Sequence, residues 1–427
     1  MKPLSLFILA FMSMFCLHAQ NYDNIAFDNR IYVNGITSVK LTPASVPMGY
    51  PLITLGTGEQ LCLDYDDLEG NDNRYLKYTV IHCTHDWKPS DLNPFDYIDG
   101  YTEDELTEHS YSFNTVQSYV HFTLCFPNNM LRVTKSGNYL LFVYDDTPDN
   151  PILTRRFMVK EPEEAIITGV VHAASDTRYR FTGQEVDFNV NTTGRTIIRD
   201  PARNLRANII QNGRWDNAII GLRYRYGKPG EYSFDYDENE NSFYGSSEFR
   251  MFSLKSLRYN GDRIASIRYD GKGYYALVLE DIARPYGAYQ GSTTLRGRCY
   301  WENSDYTGAN REDYVMTRFS LKCDFPVTDG SIYVFGELTD WQIQEDAKLE
   351  YNPSTNYWET ELYLKQGIYN YQYVFVHDGS TEIDATYIEG SHWETQNEYG
   401  IFVYLNDETS LYDRLIGVGY FNTIRGR

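Results

Sequence analysis

An all-β fold, three consecutive antiparallel sandwiches of immunoglobulin-like or E-set-like type, follows from three observations. Nearly every periodic stretch alternates with a period of two, turn-forming residues punctuate the chain at short intervals, and aromatics are abundant. There are 39 Tyr, 22 Phe and 6 Trp, 16% of 427 residues. Aromatic side chains suit pleated, half-buried surfaces, while Gly, Asn and Asp supply the tips between strands. A single core stops growing at about 250–300 residues, so the length requires more than one domain.

The first 19 residues read as a secretory signal: Lys2, an apolar run over 4–17, and Leu17-His18-Ala19 before Gln20. Met14 and Phe15 stand where lipid attachment at Cys16 needs small residues. No later segment reaches the about 20 apolar residues of a membrane helix, so a chain soluble after export, without direct membrane insertion, is expected.

An N-terminal sandwich is expected over 20–160, with strands at Leu76–Cys83, 119–126, 139–144 and 155–159. The loop 160–164 (KEPEE) marks its end. A middle β domain follows over 161–312, with strands at 181–190, 222–226, 264–269 and 274–279, up to the polar stretch 303–312. A C-terminal sandwich is expected over 313–427, with strands at 332–335, 359–364 and 369–376. The best helix signal is 102–109 (TEDELTEH), acidic where a helix begins. No repeat of 20–50 residues is visible, which argues against a propeller or solenoid.

The net charge of −21 is the wrong sign for gripping nucleic-acid phosphate. The acidity sits at the two ends. The middle is near neutral, and its Arg199, Arg203, Arg206, Arg214, Arg223 and Arg225 are candidate partner-binding residues, since Arg and aromatics carry most interface energy. Removal of Cys16 leaves Cys62, Cys83, Cys125, Cys299 and Cys323, an odd number that leaves at least one thiol unpaired. Cys299 with Cys323 is the first pair to test, against buried cysteines acting as small hydrophobes.

No catalytic motif is present: no HExxH, GxSxG, Walker loop, GxGxxG after a strand, or CxxC. No catalytic residue and no cofactor is therefore assigned. His82-Cys83-Thr84-His85 holds three potential metal ligands, but on a strand His82 and His85 point to opposite faces, so no metal site is assigned either. Asp64, Asp66 and Asp72, or Asp235 and Asp237, could offer oxygen to calcium. Neither set has EF-hand spacing, and both read as solvated tips.

Toward the C-terminus, 331–341 (SIYVFGELTDW), Asn356-Tyr357-Trp358, Gly367 and His377-Asp378-Gly379 follow an order similar to glycogen- and starch-binding sandwich modules. The resemblance implies sugar stacking on Trp341. Ser380 and Thr381 stand where a second stacking Trp is expected, and Trp358 is the other aromatic candidate. The alternative is that both Trp only pack the sandwich.

A longer likeness begins with 78–100 (YTVIHCTHDWKPSDLNPFDYIDG) and continues through Ser112-Phe113-Asn114-Thr115, Tyr119, Phe126-Pro127-Asn128, Ser136-Gly137-Asn138-Tyr139 and Arg155-Arg156-Phe157. More loosely it takes in 211–215 (QNGRW), Glu248-Phe249-Arg250, Asp313-Tyr314-Val315 and Phe319, with Ser247 where Asn is expected. These segments resemble the plug proteins of the type IX secretion system of Bacteroidota. The resemblance implies a non-enzymatic periplasmic protein, monomeric when free, that docks on the inner opening of the outer-membrane translocon barrel and closes it without cargo. Two other classes stay open: a periplasmic carbohydrate-binding accessory protein, and a hydrolase whose site is assembled from loops.

Overall fold

The computed structural model describes residue 22 and residues 24–70, 74–406 and 411–423. The expected signal over 1–19 and the candidate ligand Asp72 lie outside the described residues. Within them the chain is all-β, mostly antiparallel, and its three α-helices are four residues each.

The first domain packs two sheets around Leu61, Leu63, Tyr78, Val80, Tyr139, Leu141 and Phe157. One sheet joins Ile36–Pro43, Leu61–Asp67, Val120–Phe126 and His109–Tyr111. The other is built on Leu76–Cys83, Gly137–Asp145 and Pro151–Lys160. The expected helix over 102–109 is absent. Asp104–Glu105 instead pairs with Leu76–Cys83, Leu106 is buried, and Glu103 meets Lys77 at 3.1 Å. The acidic residues read as a helix start are partners for an edge strand.

The second domain sets Ile166–Ala173, Gly183–Asn191 and Glu231–Phe234 against Leu205–Gln211 and Arg214–Leu222. That second sheet is completed by the distant hairpin Glu398–Leu405 and Arg414–Asn422, which pairs with Leu205–Gln211. The third domain, from Arg250–Ser253 to Thr386–Glu389, is therefore an insertion in the second. Its sheets are organised on the long Gly367–His377 strand and on Tyr314–Lys322, the latter pairing in parallel with Tyr274–Val278. The sheets thus divide the chain differently from the expected 161–312 and 313–427. Residues 264–312 belong with the third core, and 398–422 with the second.

Leu76–Cys83, Gly137–Asp145 and Glu398–Leu405 are buried on both faces. Alternate residues of Gly137–Asp145 go to different cores: Tyr139, Leu141 and Val143 inward, Leu140, Phe142 and Tyr144 outward. The outward set meets Ile210, Phe402, Tyr404 and Leu415 of the second domain. Four sheets therefore form one stack, with a hydrophobic layer between domains as well as within each. Tyrosine suits this arrangement because its hydroxyl keeps a polar partner when the ring is buried. Tyr139, Tyr144, Tyr369, Tyr371, Tyr373 and Tyr404 all lose their solvent contact this way, and each hydroxyl is hydrogen-bonded.

The bridge between cysteines is not the expected one. Cys62 and Cys125 face each other directly in neighbouring strands, with Cα atoms 4.1 Å apart, and form a disulfide. Cys299 and Cys323 are both unbridged, Cys299 buried under the third domain's sheet.

Candidate functional site

The residues that carry the family resemblance converge on three seams between the domains. At the first, the Arg156 guanidinium lies over the rings of Trp87, at 4.6 Å, and Trp215, at 5.8 Å. The two indoles meet edge to face at 4.9 Å. Arg156 donates to the Phe27 carbonyl at 2.8 Å, and burial lowers its pKa to about 10. Beside it Tyr404 donates to Asn138 at 2.7 Å, and Asp413 accepts from the His85 backbone N–H at 2.7 Å.

The second seam joins the first and third domains through a fully buried carboxylate. Asp66 accepts from Lys365 Nζ at 2.6 Å, from the Tyr314 hydroxyl at 2.7 Å and from His121 Nδ1 at 2.7 Å. Burial pushes the Asp66 carboxyl up, but the Lys365 charge and the His121 bond outweigh it and hold the group below the ordinary range. Burial likewise works against charged His121, yet its bonds to Asp64 and Asp66 raise it to about 9. Arg155 pairs with Asp340 at 2.8 Å and Lys40 with Glu337 at 3.4 Å across the same seam. Asp313 accepts the backbone N–H groups of Val116 at 2.7 Å and Gln117 at 3.1 Å.

At the third seam Trp341 is packed against Phe335 and Phe249, with ring centroids at 5.5 and 6.0 Å, and Arg214 lies 5.2 Å from its centre. Gly297, with φ of +81°, lets the chain pass so close that a Cβ there would meet the Trp341 ring at 2.2 Å. Glu398 of the second domain bonds Arg298 of the third at 3.1 Å and also accepts from Tyr50 of the first. All three domains meet at this point.

Two cavities lie in the seams. The larger, about 380 Å³, is lined by Lys40, Arg155, Glu337, Asp340 and Lys365. Its cations are engaged in the ion pairs just described, and no His–carboxylate pair among the described residues lines either cavity.

The sequence-derived candidates are dispersed. His82 is buried between Ser90 Oγ, 2.9 Å, and the Ser136 carbonyl, 3.1 Å, and burial lowers it to about 4. His85 turns instead to Asp413 at 2.9 Å, so the two histidines hold no common ion. Asp66 is a seam anchor and not a tip, and Asp237 pairs with Arg225 at 3.5 Å. Trp341 fills a seam, whereas Trp358 packs beside Tyr351 across strands, with centroids at 5.4 Å; they share no cavity.

Of the arginines, Arg199, Arg203, Arg223 and Arg225 are exposed and Arg206 is half-buried. Arg214 is buried, bonded to Asp216 at 2.8 Å through Nε, and serves the third seam; it is unsuited to the partner-binding role expected of it. Sequence reasoning missed His121 and Lys365 and read Asp66 as part of a solvated tip. A polar residue within an apolar run was the available signal, but its partner lies 299 positions away.

Residues 36–161 match the type 9 secretion system plug protein 1st domain. A comparison with curated proteins finds no match. Among solved structures, a hypothetical protein from Parabacteroides merdae is similar over 93% of this chain and 100% of its own, at 33% identity and a TM-score of 0.87. The teleost fish polymeric Ig receptor ectodomain, at 12% identity, is covered over 84% of its length and 45% of this chain, with a TM-score of 0.13. Dimeric latent PorU from Porphyromonas gingivalis, at 10% identity, is covered over 34% of its length and 90% of this chain, with a TM-score of 0.14. Scores this low carry no argument about fold or role. Residues 36–161 thus carry the plug protein 1st domain of the type 9 secretion system, and the chain as a whole shares its three-domain fold with the P. merdae protein.

Proposed function

We propose that this chain is a non-enzymatic periplasmic plug that docks on the inner opening of the type IX outer-membrane translocon barrel and closes it when cargo is absent. The observation that carries the reading is the fusion of three sandwiches into one body by buried ion pairs and aromatic seams. A pore wide enough for folded cargo leaks unless the blocking body holds its shape. Domains joined by flexible linkers deform, whereas buried Asp66–Lys365 and the Arg156–Trp87–Trp215 stack resist relative motion.

No helix among the described residues is long and apolar enough to cross a membrane, consistent with docking as a separate body. The exposed Arg199, Arg203, Arg223 and Arg225 form the docking face in this reading, and Ile197, two positions before Arg199, is 90% exposed. Exposed arginines suit an acidic rim on the barrel's inner mouth. The free protein is a monomer and needs no cofactor.

Affinity purification of the tagged chain from native membranes is expected to recover one very large barrel subunit. The R199E/R203E/R223E variant is expected to keep its melting temperature and lose that barrel. Recovery of no barrel in mild detergent overturns the reading; equal recovery by the variant overturns the docking face. Deletion of the chain is expected to admit large antibiotics normally excluded, and unchanged sensitivity with the translocon present counts against a seal.

A further inference from the structure

Away from the seams, the second domain carries a compact set of ligand-type side chains. His172 on Ile166–Ala173 stands directly opposite Glu185 on Gly183–Asn191, and Ser242 stands opposite Glu185 on its other side. Side chains alternate between faces along a strand, so Asp187, two residues on, shares the face of Glu185. Val186 and Phe188 turn the other way into the core. The pattern places one imidazole and two carboxylates in a row across paired strands, with one ligand atom from each within 4.8 Å of the others.

The surrounding bonds hold these groups in place. His172 Nδ1 lies 2.8 Å from the Ala173 carbonyl, which only accepts, so Nδ1 carries a proton and Nε2 points to Asp187 at 2.6 Å. A backbone carbonyl on the second ring nitrogen is the usual way a metal-binding histidine is oriented. Glu185 Oε2 accepts from the Ser175 N–H at 2.6 Å, and Asp187 Oδ1 accepts from Asn241 Nδ2 at 3.0 Å.

A second observation points to a missing donor. Asn241 is fully buried with its amide against Asp187, yet its Oδ1 has no hydrogen-bond partner; Ser242 Oγ, beside Glu185, is also buried and unpartnered. Two buried oxygens without partners are costly. Water bound to a metal ion beside Asp187 and Glu185 is a hydrogen-bond donor of the kind these oxygens lack.

We propose that His172, Glu185 and Asp187 bind a divalent transition-metal ion of the zinc class, pinning the Ile166–Ala173 strand to its neighbour. The nitrogen ligand favours zinc-like ions over calcium or magnesium, and three protein ligands leave a position for water. Tetrahedral bonds of about 2.0 Å place ligand atoms about 3.3 Å apart. The 2.6 Å between His172 and Asp187 opens to that value as the ion replaces the Nε2 proton, and the wider separations close.

Calorimetry of the chelator-stripped full chain with Zn²⁺ is expected to show one equivalent bound. H172Q and D187N, checked as folded by circular dichroism, are each expected to weaken it by more than about tenfold. H121Q, which removes a different imidazole–carboxylate set, is expected to leave binding unchanged. Anomalous diffraction at the zinc edge provides a reading independent of the variants, with density expected between His172 and Asp187. No binding, binding undiminished in H172Q and D187N, or anomalous density elsewhere only overturns the proposal and leaves an ordinary ion pair.

Discussion

Replacing His121 with Gln tests whether the seam between the first and third domains is held by a charged imidazole. His121 contacts Asp66 at 2.7 Å and Asp64 at 3.5 Å, while Lys365 on the far side of Asp66 opposes its charge. Its folded pKa of about 9 lies above the ordinary 6.5, so it contributes stability that is fully present below pH 6.5 and is lost as pH rises through 9. At about 1.36 kcal/mol per pH unit, linkage gives about 3 kcal/mol at pH 6, about 1.4 at pH 8 and almost nothing at pH 10.

Asp66 sets the lower limit, since its carboxyl is depressed: its contribution is present above the ordinary carboxylate range and fails as pH falls through the folded value. His172, also raised to about 9, adds its own slope in both proteins and cancels in the difference. The assay is urea unfolding of wild type and H121Q at pH 6, 8 and 10. Fluorescence of Trp301, which lies under Lys40 at 4.7 Å in this seam, is among the signals followed. The stability difference is expected to shrink by about 3 kcal/mol between pH 6 and pH 10, leaving the about 1 kcal/mol of a neutral hydrogen bond. Parallel pH profiles for the two proteins refute the reasoning.

Lys365→Met leaves Asp66 buried without its ammonium partner and is expected to cost about 3–5 kcal/mol in urea unfolding, with much of it regained in D66N/K365M; a loss under about 1 kcal/mol contradicts a buried pair. Gly297→Ala drives a methyl into Trp341 and Phe249 at a left-handed backbone position, and the strain and overpacking together are expected to cost about 2–4 kcal/mol, read as a lower melting temperature. Cys62 and Cys125 close a loop with a sequence separation of 63, for which chain entropy sets a ceiling of about 4 kcal/mol; C62A/C125A is expected to lose part of it. Peptide mapping under non-reducing conditions should find this bridge, and a Cys299–Cys323 peptide instead contradicts the structure.

Strands were legible where burial imposes a simple pattern. Gly137–Asp145 showed a continuous apolar run over 139–144 because both faces are covered, one by its own domain and one by the next. The same run gave no sign that two different cores were involved, since periodicity reports burial and not the identity of the cover. The second domain's closure by 398–422 was illegible for a related reason: a β-strand carries no local mark of its partner. Arg214 illustrates the limit for sites. Its neighbours Arg223 and Arg225 are exposed as expected, but Arg214 stacks on Phe335 and Trp341 from an insertion over 100 positions later. The 102–109 segment failed because its acidic side chains answer Lys77 and Tyr78 across a sheet, a nonlocal demand that overrides a helix-start pattern. Family resemblance named many of the seam residues without saying that they meet.

The order in which the chain emerges gives the Glu398–Leu405 and Arg414–Asn422 hairpin a second meaning. Domains ordinarily fold one after another from the N-terminus as the chain is synthesised. Here the second sandwich starts near residue 166 but lacks half of one sheet until the last strands have been made. Until then Leu140, Phe142 and Tyr144 of the finished first domain lack the part of their cover that Phe402, Tyr404 and Leu415 supply. A chaperone therefore has a defined apolar face to grip during that interval. The last hairpin acts as a completion latch, so a chain truncated before 398 is left with an open middle domain as well as lacking its tail.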